Sequence, residues 1–152
     1  MKYEIYRNIK VSEDYCLFEF ISDGQNGYIF KRIEFSETAV SNIYNLAFGD
    51  VDEDNQINDI HTSNNGDRNK ILSTVAFAVD IFLSNYPKRW VYFKGSTQER
   101  TRLYRMAISL NLDELSLKFT IYGEQQNKFV PFQKNVTTDG FLIKKKLSNF
   151  DI

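Results

Sequence analysis

The chain has only one cysteine, one histidine and two prolines among its 152 residues. A single cysteine excludes an internal disulfide, and the setting of Cys16 in YCLFEF favours a small core side chain over a nucleophile. His61 stands beside a polar turn, where a surface position is more common than a catalytic one. No apolar run approaches the roughly 20 residues that cross a bilayer, and the start MKYEIYRNIK has no apolar signal core. We therefore expect a cytoplasmic protein that does not enter a membrane.

The chain also lacks a large excess of charge of either sign, because 19 basic and 20 acidic side chains leave a net charge of -1. No global field draws the chain to nucleic acid or to a membrane surface, so such a partner would need a local patch. Aromatics are abundant, with 13 Phe and 9 Tyr, and they favour sheet-rich packing. There is no internal repeat or linker-like composition, so residues 1–152 are expected to form one domain.

The pattern along the chain predicts an α+β fold with a mostly antiparallel, curved sheet and two main helices. YCLFEFISDGQNGYIFKRIEFSET reads as two strands joined at Gly24, Asn26 and Gly27, and SNIYNLAFGDV as a further strand. A buried helix begins at about Asp67 and stops before Pro87. RWVYFKGS is a strand, and Ser96 with Glu99 has the capping-box spacing that opens a second helix. LKFTIYGE and KFVPF are closing strands, and GFLIKKKL is either a last strand or a tail.

The stretch GDVDEDNQINDIH resembles the start of a calcium loop. Counting from Asp50, the ligand positions 1, 3 and 5 are acidic, but Asn55 replaces the glycine at 6 and His61 replaces the glutamate at 12. The residues from 52 to 56 are also typical of a turn that bonds its own backbone. The sequence therefore favours a solvated hairpin turn, and we assign no metal ligands.

The order of elements from residue 43 onward is strand, turn, Gly-containing loop, buried helix, strand, helix, strand. This order resembles the second half of the GNAT acetyltransferase fold. In that superfamily the loop before the helix cradles the pyrophosphate of acetyl-coenzyme A, and a tyrosine on the next helix protonates the leaving thiolate. The resemblance implies coenzyme A as ligand and Tyr104 as general acid. The loop motif is degenerate: its three marks fall on Ser63, Gly66 and Arg68, and only Gly66 matches. The later motif keeps only the pair Leu103-Tyr104.

The segments LAFGD, SNNGDRNKIL and FKGSTQERTRLYRMAIS also resemble an uncharacterised family of short bacterial proteins from the Bacteroidota. This resemblance covers nearly the whole length of the chain. It implies no activity.

Two groups of residues predict a site for an anionic small molecule, coenzyme A or a nucleotide. Gly66 frees a backbone N–H before the first helix, and the next residues add donors to its first turn. On the second helix, Arg100 and Tyr104 share a face, and Lys94 ends the strand before it. The predicted ligand-binding residues are Gly66, Arg68, Asn69, Lys70, Lys94 and Arg100, and the predicted catalytic residue is Tyr104. The plainer interpretation is that Asp67 only caps its helix and the arginines form a solvated face.

Two other functions stay open. Arg100, Arg102 and Arg105 could contact RNA or DNA phosphates in a non-catalytic nucleic-acid or protein-binding module, such as a toxin–antitoxin or regulatory component. A weaker alternative is a metal-dependent hydrolase that uses Asp50, Asp52, Asp54 and Asp59. Neither the substrate nor the oligomeric state follows from the sequence.

Overall fold

The computed structural model describes residues 3–58 and 64–147, and within these it has nine strands and three helices in an α+β fold. Asp59, His61 and Ser63 lie outside the described residues. The strands are β1 (Lys10–Val11), β2 (Leu17–Gly24), β3 (Gly27–Glu37), β4 (Ile43–Val51), β5 (Ile57–Asn58), β6 (Trp90–Phe93), β7 (Phe119–Gln125), β8 (Lys128–Pro131) and β9 (Gly140–Lys145). The helices are α1 (Arg68–Asn85), α2 (Gln98–Leu110) and α3 (Leu112–Lys118).

The strands form one open sheet in the order β1-β2-β3-β4-β6-β9-β7-β8, with β5 paired to β4. Every strand pair is antiparallel except β4 and β6, which run parallel across the α1 crossover. The predicted mostly antiparallel sheet is confirmed. The pairing of β4 with β6 ends at Asn45, and the sheet opens beyond that residue.

The core lies between α1 and one face of the sheet. Along β3, Ile33 and Phe35 alternate with exposed side chains, so they share the face that turns inward. From α1, Phe82 is completely buried and stacks on Phe35, with ring centroids 4.2 Å apart. The burial of large aromatic rings on both elements is a main source of the stability of this layer.

Helix α1 confirms the sequence prediction at both ends. It begins at Arg68, directly after Asp67, and ends at Asn85 before Tyr86 and Pro87. The residue before a proline avoids helical angles, so Tyr86 takes a non-helical conformation. None of the helices in the described residues combines the length and the apolar content needed to cross a bilayer.

Helix α2 differs from the prediction in its cap. The N-cap residue is Thr97, whose side chain accepts a hydrogen bond from the backbone N–H of Arg100. The predicted capping box of Ser96 and Glu99 is therefore wrong by one residue. The Ser96 hydroxyl accepts a hydrogen bond from the Arg100 guanidinium instead.

The inward face of α2 also differs from the expected one. The helical spacing of Leu103, Met106, Ala107 and Leu110 is typical of a core-facing side, but Met106 is 46% and Leu110 is 73% exposed. Thr101 and Ile108 are the buried residues of the helix. Because the helix is rotated in this way, Met106 and Leu110 point away from the sheet, and Ala107 and Ile108 border a space beneath the helix.

Two further features depend on long-range pairing. The segment GFLIKKKL is the strand β9, and it lies inside the sheet between β6 and β7. At the first hairpin, Gly27 has a positive φ of +89°, whereas Gly24 provides space for a neighbouring loop. A Cβ at Gly24 would overlap the carbonyl oxygen of Asn65, so this glycine allows the loop before α1 to lie against the hairpin. Helix α3 was not predicted.

Candidate functional site

The sheet opens along one edge of β4. Residues Ile43 to Asn45 pair with β6, and Asp50 and Val51 pair with β5. Between these partners, no strand in residues 3–58 or 64–147 pairs with Leu46–Gly49 on that edge. The N–H and C=O groups of an unpaired strand edge are a template for another extended chain. The backbone groups of this edge can therefore form hydrogen bonds with an extended ligand that lies beside it.

An apolar cavity of about 310 Å³ lies beside this opening. Its walls come from β4, β6, β7, β9 and all three helices. Lys94, Arg100 and Tyr104 are among its polar lining residues. Most of the rest is aliphatic or aromatic, including Leu72, Val75, Val79, Ile108, Phe119 and Ile143. We refer to this space as the apolar cavity.

A second cavity of about 340 Å³ lies at the N-terminus of α1, and we refer to it as the polar cavity. It is lined by side chains of both charges and by part of β4. The charged side chains that line it are Lys31, Asp50, Asp67, Arg68 and Arg100. Lys31 pairs with Asp50, so the net positive charge of the lining comes from Arg68 and Arg100 set against Asp67. That balance suits an anionic ligand, and the rest of the lining includes the apolar side chains of Phe48, Ile71, Leu72 and Leu103.

Arg100 and Tyr104 line both cavities. They lie one turn apart on α2, and both are half-buried. The sequence placed Arg68 and Arg100 in a common crevice, and both line the polar cavity. Lys94 lines only the apolar cavity. The structure therefore brings together Arg68, Arg100 and Tyr104 at the polar cavity, and Lys94 joins Arg100 and Tyr104 at the apolar cavity.

The remaining predicted residues lie around the start of α1 but do not line either cavity. Gly66 has a φ of +78°, a conformation that favours glycine, and it shapes the turn. Asn69 is exposed. The ammonium of Lys70 lies over the ring of Tyr6, 4.3 Å from the centroid, so its charge is engaged by a cation–π contact.

Asp67 occupies the N-cap position of α1 without capping it, because its side chain makes no hydrogen bond to the helix backbone. Its Oδ2 instead accepts hydrogen bonds from the hydroxyls of Tyr6 and Ser22. Burial, followed by the hydrogen bond to Asp67, raises the pKa of Tyr6. The interpretation of Asp67 as a plain cap is therefore wrong. This carboxylate ties the start of α1 to β2 and the N-terminal segment.

Asn65 fixes the loop before α1 to the first hairpin. Its Oδ1 accepts from the backbone N–H of Asn26 at 2.6 Å, and its Nδ2 donates to the Ser22 hydroxyl and the Gly27 carbonyl, each at 3.0 Å. Asn65 is 3% exposed. These bonds hold the loop that presents Arg68 to the polar cavity.

We expect Asn65→Ala to lower the free energy of unfolding by about 2–4 kcal/mol, since three hydrogen bonds disappear and buried partners are left unsatisfied. The neighbouring Asn64→Ala is the matched control. Asn64 is exposed and its side chain accepts a single bond from the Gly66 N–H at 3.2 Å, so a loss below about 1 kcal/mol is expected. Urea denaturation of the two variants measures both values. Equal losses would contradict the role given to Asn65.

The ion pair of Lys31 and Asp50 is a feature of the polar cavity that the sequence prediction missed. The two residues face each other on β3 and β4, and Lys31 is only 3% exposed. The signal was present in YIFKRIEF, where Lys31 shares the inward face with Ile33 and Phe35. Lysine is almost never buried unless it is paired, so an inward lysine indicates an acidic partner nearby.

The acidic stretch forms the predicted hairpin turn between β4 and β5. The Asp52 carboxylate accepts hydrogen bonds from the backbone N–H groups of Asp54 and Gln56, at 2.9 and 3.0 Å. Asn55 has a positive φ of 60°. Asp50 points instead to Lys31. In the part of the chain that is described, no group of three or more His, Cys, Asp or Glu residues is placed to hold a metal ion.

The chain matches the model of a family of unknown function, DUF6934, over residues 2–146. It therefore belongs to that family, and the prediction that the chain belongs to an uncharacterised family is confirmed. No curated protein and no solved structure gives a significant match.

Proposed function

We propose that the chain binds a coenzyme A thioester across the two cavities, in the manner of a GNAT-like fold. The observation that carries the proposal is the edge of β4 at Leu46–Gly49, which has no strand partner within residues 3–58 and 64–147, faces the apolar cavity and ends at the polar one. Such an edge, between a cationic and an apolar space, suits a ligand with phosphates, an amide-bearing arm and an acyl group.

The phosphates would bind in the polar cavity. Arg68 lies in the first turn of α1, where the helix dipole also favours an anion. Arg100 reaches the same cavity from α2. Guanidinium groups bind phosphate oxygens through paired hydrogen bonds, so two arginines from different helices can hold a diphosphate in a defined orientation.

The pantetheine arm would lie along Leu46–Gly49. The arm contains two amides, and the edge of a strand offers N–H and C=O groups at regular spacing. An extended arm can therefore pair with β4 in the position that a neighbouring strand would occupy. This placement brings the sulfur toward Tyr104 and the apolar cavity. A ligand of this kind also agrees with the cytoplasmic location expected from the sequence.

Thermal shift with coenzyme A, acetyl-coenzyme A and ATP tests the proposal. A ligand with a dissociation constant near 10 μM, present at 1 mM, adds about 2.7 kcal/mol to the stability of the folded state. For a chain of this size that corresponds to a rise in Tm of roughly 5–10 °C. We expect this rise for both coenzyme A ligands and a smaller one for ATP. No rise with any of them at 1 mM would overturn the proposal.

Tyr104 is proposed as the general acid of acyl transfer. An acceptor attacks the acyl carbon, the carbon–sulfur bond breaks, and the leaving thiolate takes the proton of the Tyr104 phenol. The proton that the acceptor loses passes through solvent to the tyrosinate and restores the phenol. A positioned acid typically contributes about 10²–10⁴-fold to a rate. We therefore expect Tyr104→Phe to slow thiol release from acetyl-coenzyme A, with water as acceptor, at least about 100-fold. Affinity for coenzyme A should change less than about threefold, because binding does not require the hydroxyl.

Release of free thiol, followed with a chromogenic disulfide, measures the rate, and calorimetry measures the affinity. Tyr122→Phe, a half-buried tyrosine of β7 that lines neither cavity, is the control and should leave the rate unchanged. Thiol release at the wild-type rate from Tyr104→Phe would exclude this residue as the acid.

A further inference from the structure

We infer that the site accepts an acyl group longer than acetyl, with roughly six to eight carbons. This inference rests on the proposed function and specifies its substrate class. The observation behind it is the size and the lining of the apolar cavity, which extends well beyond the opening of the sheet.

The polar lining of the apolar cavity is concentrated near the end of β6. Lys94, Ser96 and Arg100 follow that strand or begin the next helix. The lining continues to Ile143 on β9, which pairs with Val91, two residues before Phe93 on β6. It also includes Ile121 on β7, which pairs with Ile143. The cavity therefore runs from a polar mouth to an apolar end beneath α2 and α3.

The volume of the apolar cavity limits the size of the group that it can hold. A cavity of 150 Å³ lined by Leu, Ile and Phe binds benzene, which has six carbons, so a 310 Å³ cavity has room for roughly twelve such atoms. The end of the cofactor arm and the thioester would take about half of this space at the mouth. About six carbons remain to be placed, and an acetyl group supplies only two.

The lining also determines the chemistry of the occupant. The deep wall consists of Val79, Ile108, Leu115, Phe119, Ile121 and Ile143. An apolar chain that covers such walls removes their apolar surface from water, which favours its binding. A polar or charged acyl group would lose its hydration there without gaining a partner.

Helix α2 explains why this space exists. Its inward side carries Ala107 at the cavity wall, while the larger Met106 and Leu110 point outward. Ala107 is thus the position where a larger side chain would shorten the cavity without altering Arg100, two turns away, or Tyr104, one turn away.

Calorimetric titration of the full chain with acetyl-, hexanoyl- and octanoyl-coenzyme A tests the inference. Each buried methylene improves affinity roughly fourfold. We expect hexanoyl-coenzyme A, which has four more methylenes, to bind roughly 250-fold more tightly than acetyl-coenzyme A. Equal affinities for the three thioesters would overturn the inference and leave the proposed function intact. Absence of binding by all three would overturn both.

Ala107→Phe should reduce the hexanoyl preference to less than about threefold while acetyl-coenzyme A still binds. Met106→Phe places the same ring at the neighbouring exposed position and should retain the preference. An unchanged preference in Ala107→Phe would contradict the placement of the acyl chain. Circular dichroism verifies folding, and if Ala107→Phe does not fold, the wild-type ligand series alone decides the inference.

Discussion

Replacing Arg100 with alanine is expected to weaken coenzyme A binding about 10- to 100-fold. Arg100 lines both cavities, and the Ser96 hydroxyl and the start of α2 hold it at their junction. A hydrogen bond to a charged group contributes about 1.5–3 kcal/mol, which corresponds to this range of affinity. Calorimetry with coenzyme A measures the loss directly.

Two further variants separate the role of Arg100 from that of general charge. Arg102→Ala removes the same side chain from an exposed position of α2 and should change affinity less than about twofold. Arg100→Lys keeps the charge but loses the planar donor pair, so an intermediate loss is expected. If Arg102→Ala weakened binding as much as Arg100→Ala, the interaction would reflect overall charge and not the cavities.

Replacing Phe82 with alanine is expected to lower the free energy of unfolding by about 3–5 kcal/mol. The ring is fully buried, and it contacts Phe35, Tyr44 and Tyr86 at centroid distances of 4.2, 5.3 and 5.5 Å. Its loss removes buried apolar area and leaves a cavity between α1 and the sheet. Such a loss is a large part of the stability of an ordinary domain.

Phe77→Ala is the control for Phe82→Ala, because Phe77 lies on the same helix and is 39% exposed. A loss below about 1.5 kcal/mol is expected there, and chemical denaturation compares the two. Similar losses would contradict the placement of the core on the Phe82 side of α1.

The parts of the fold that local patterns control could be predicted from the sequence. Helix α1 follows from the spacing of its apolar residues and from Pro87, and the turn at Asp52 follows from residues that bond their own backbone. Both signals act over a few residues. For this reason most of the elements and their order were accessible, although α3 was not, and that order placed Arg68 and Arg100 near one cavity.

The parts that depend on distant segments could not be predicted. Nothing local in GFLIKKKL indicates that β9 inserts between β6 and β7, because strand order is a property of the whole sheet. The rotation of α2 was also missed, because the long side chains of Met106 and Leu110 imitate a core face. The size of the apolar cavity depends on both features, so no estimate of acyl length was possible from the sequence.

The most direct test of the central claim is the amide spectrum of the ¹⁵N-labelled chain during titration with coenzyme A. If the arm of the ligand lies along the open edge of β4, the amide signals of Leu46–Gly49 shift together with those of Arg68 and Arg100 as the ligand saturates. Shifts confined to the far edge of the sheet at Lys128–Pro131, or no shifts at saturating ligand, would contradict the account.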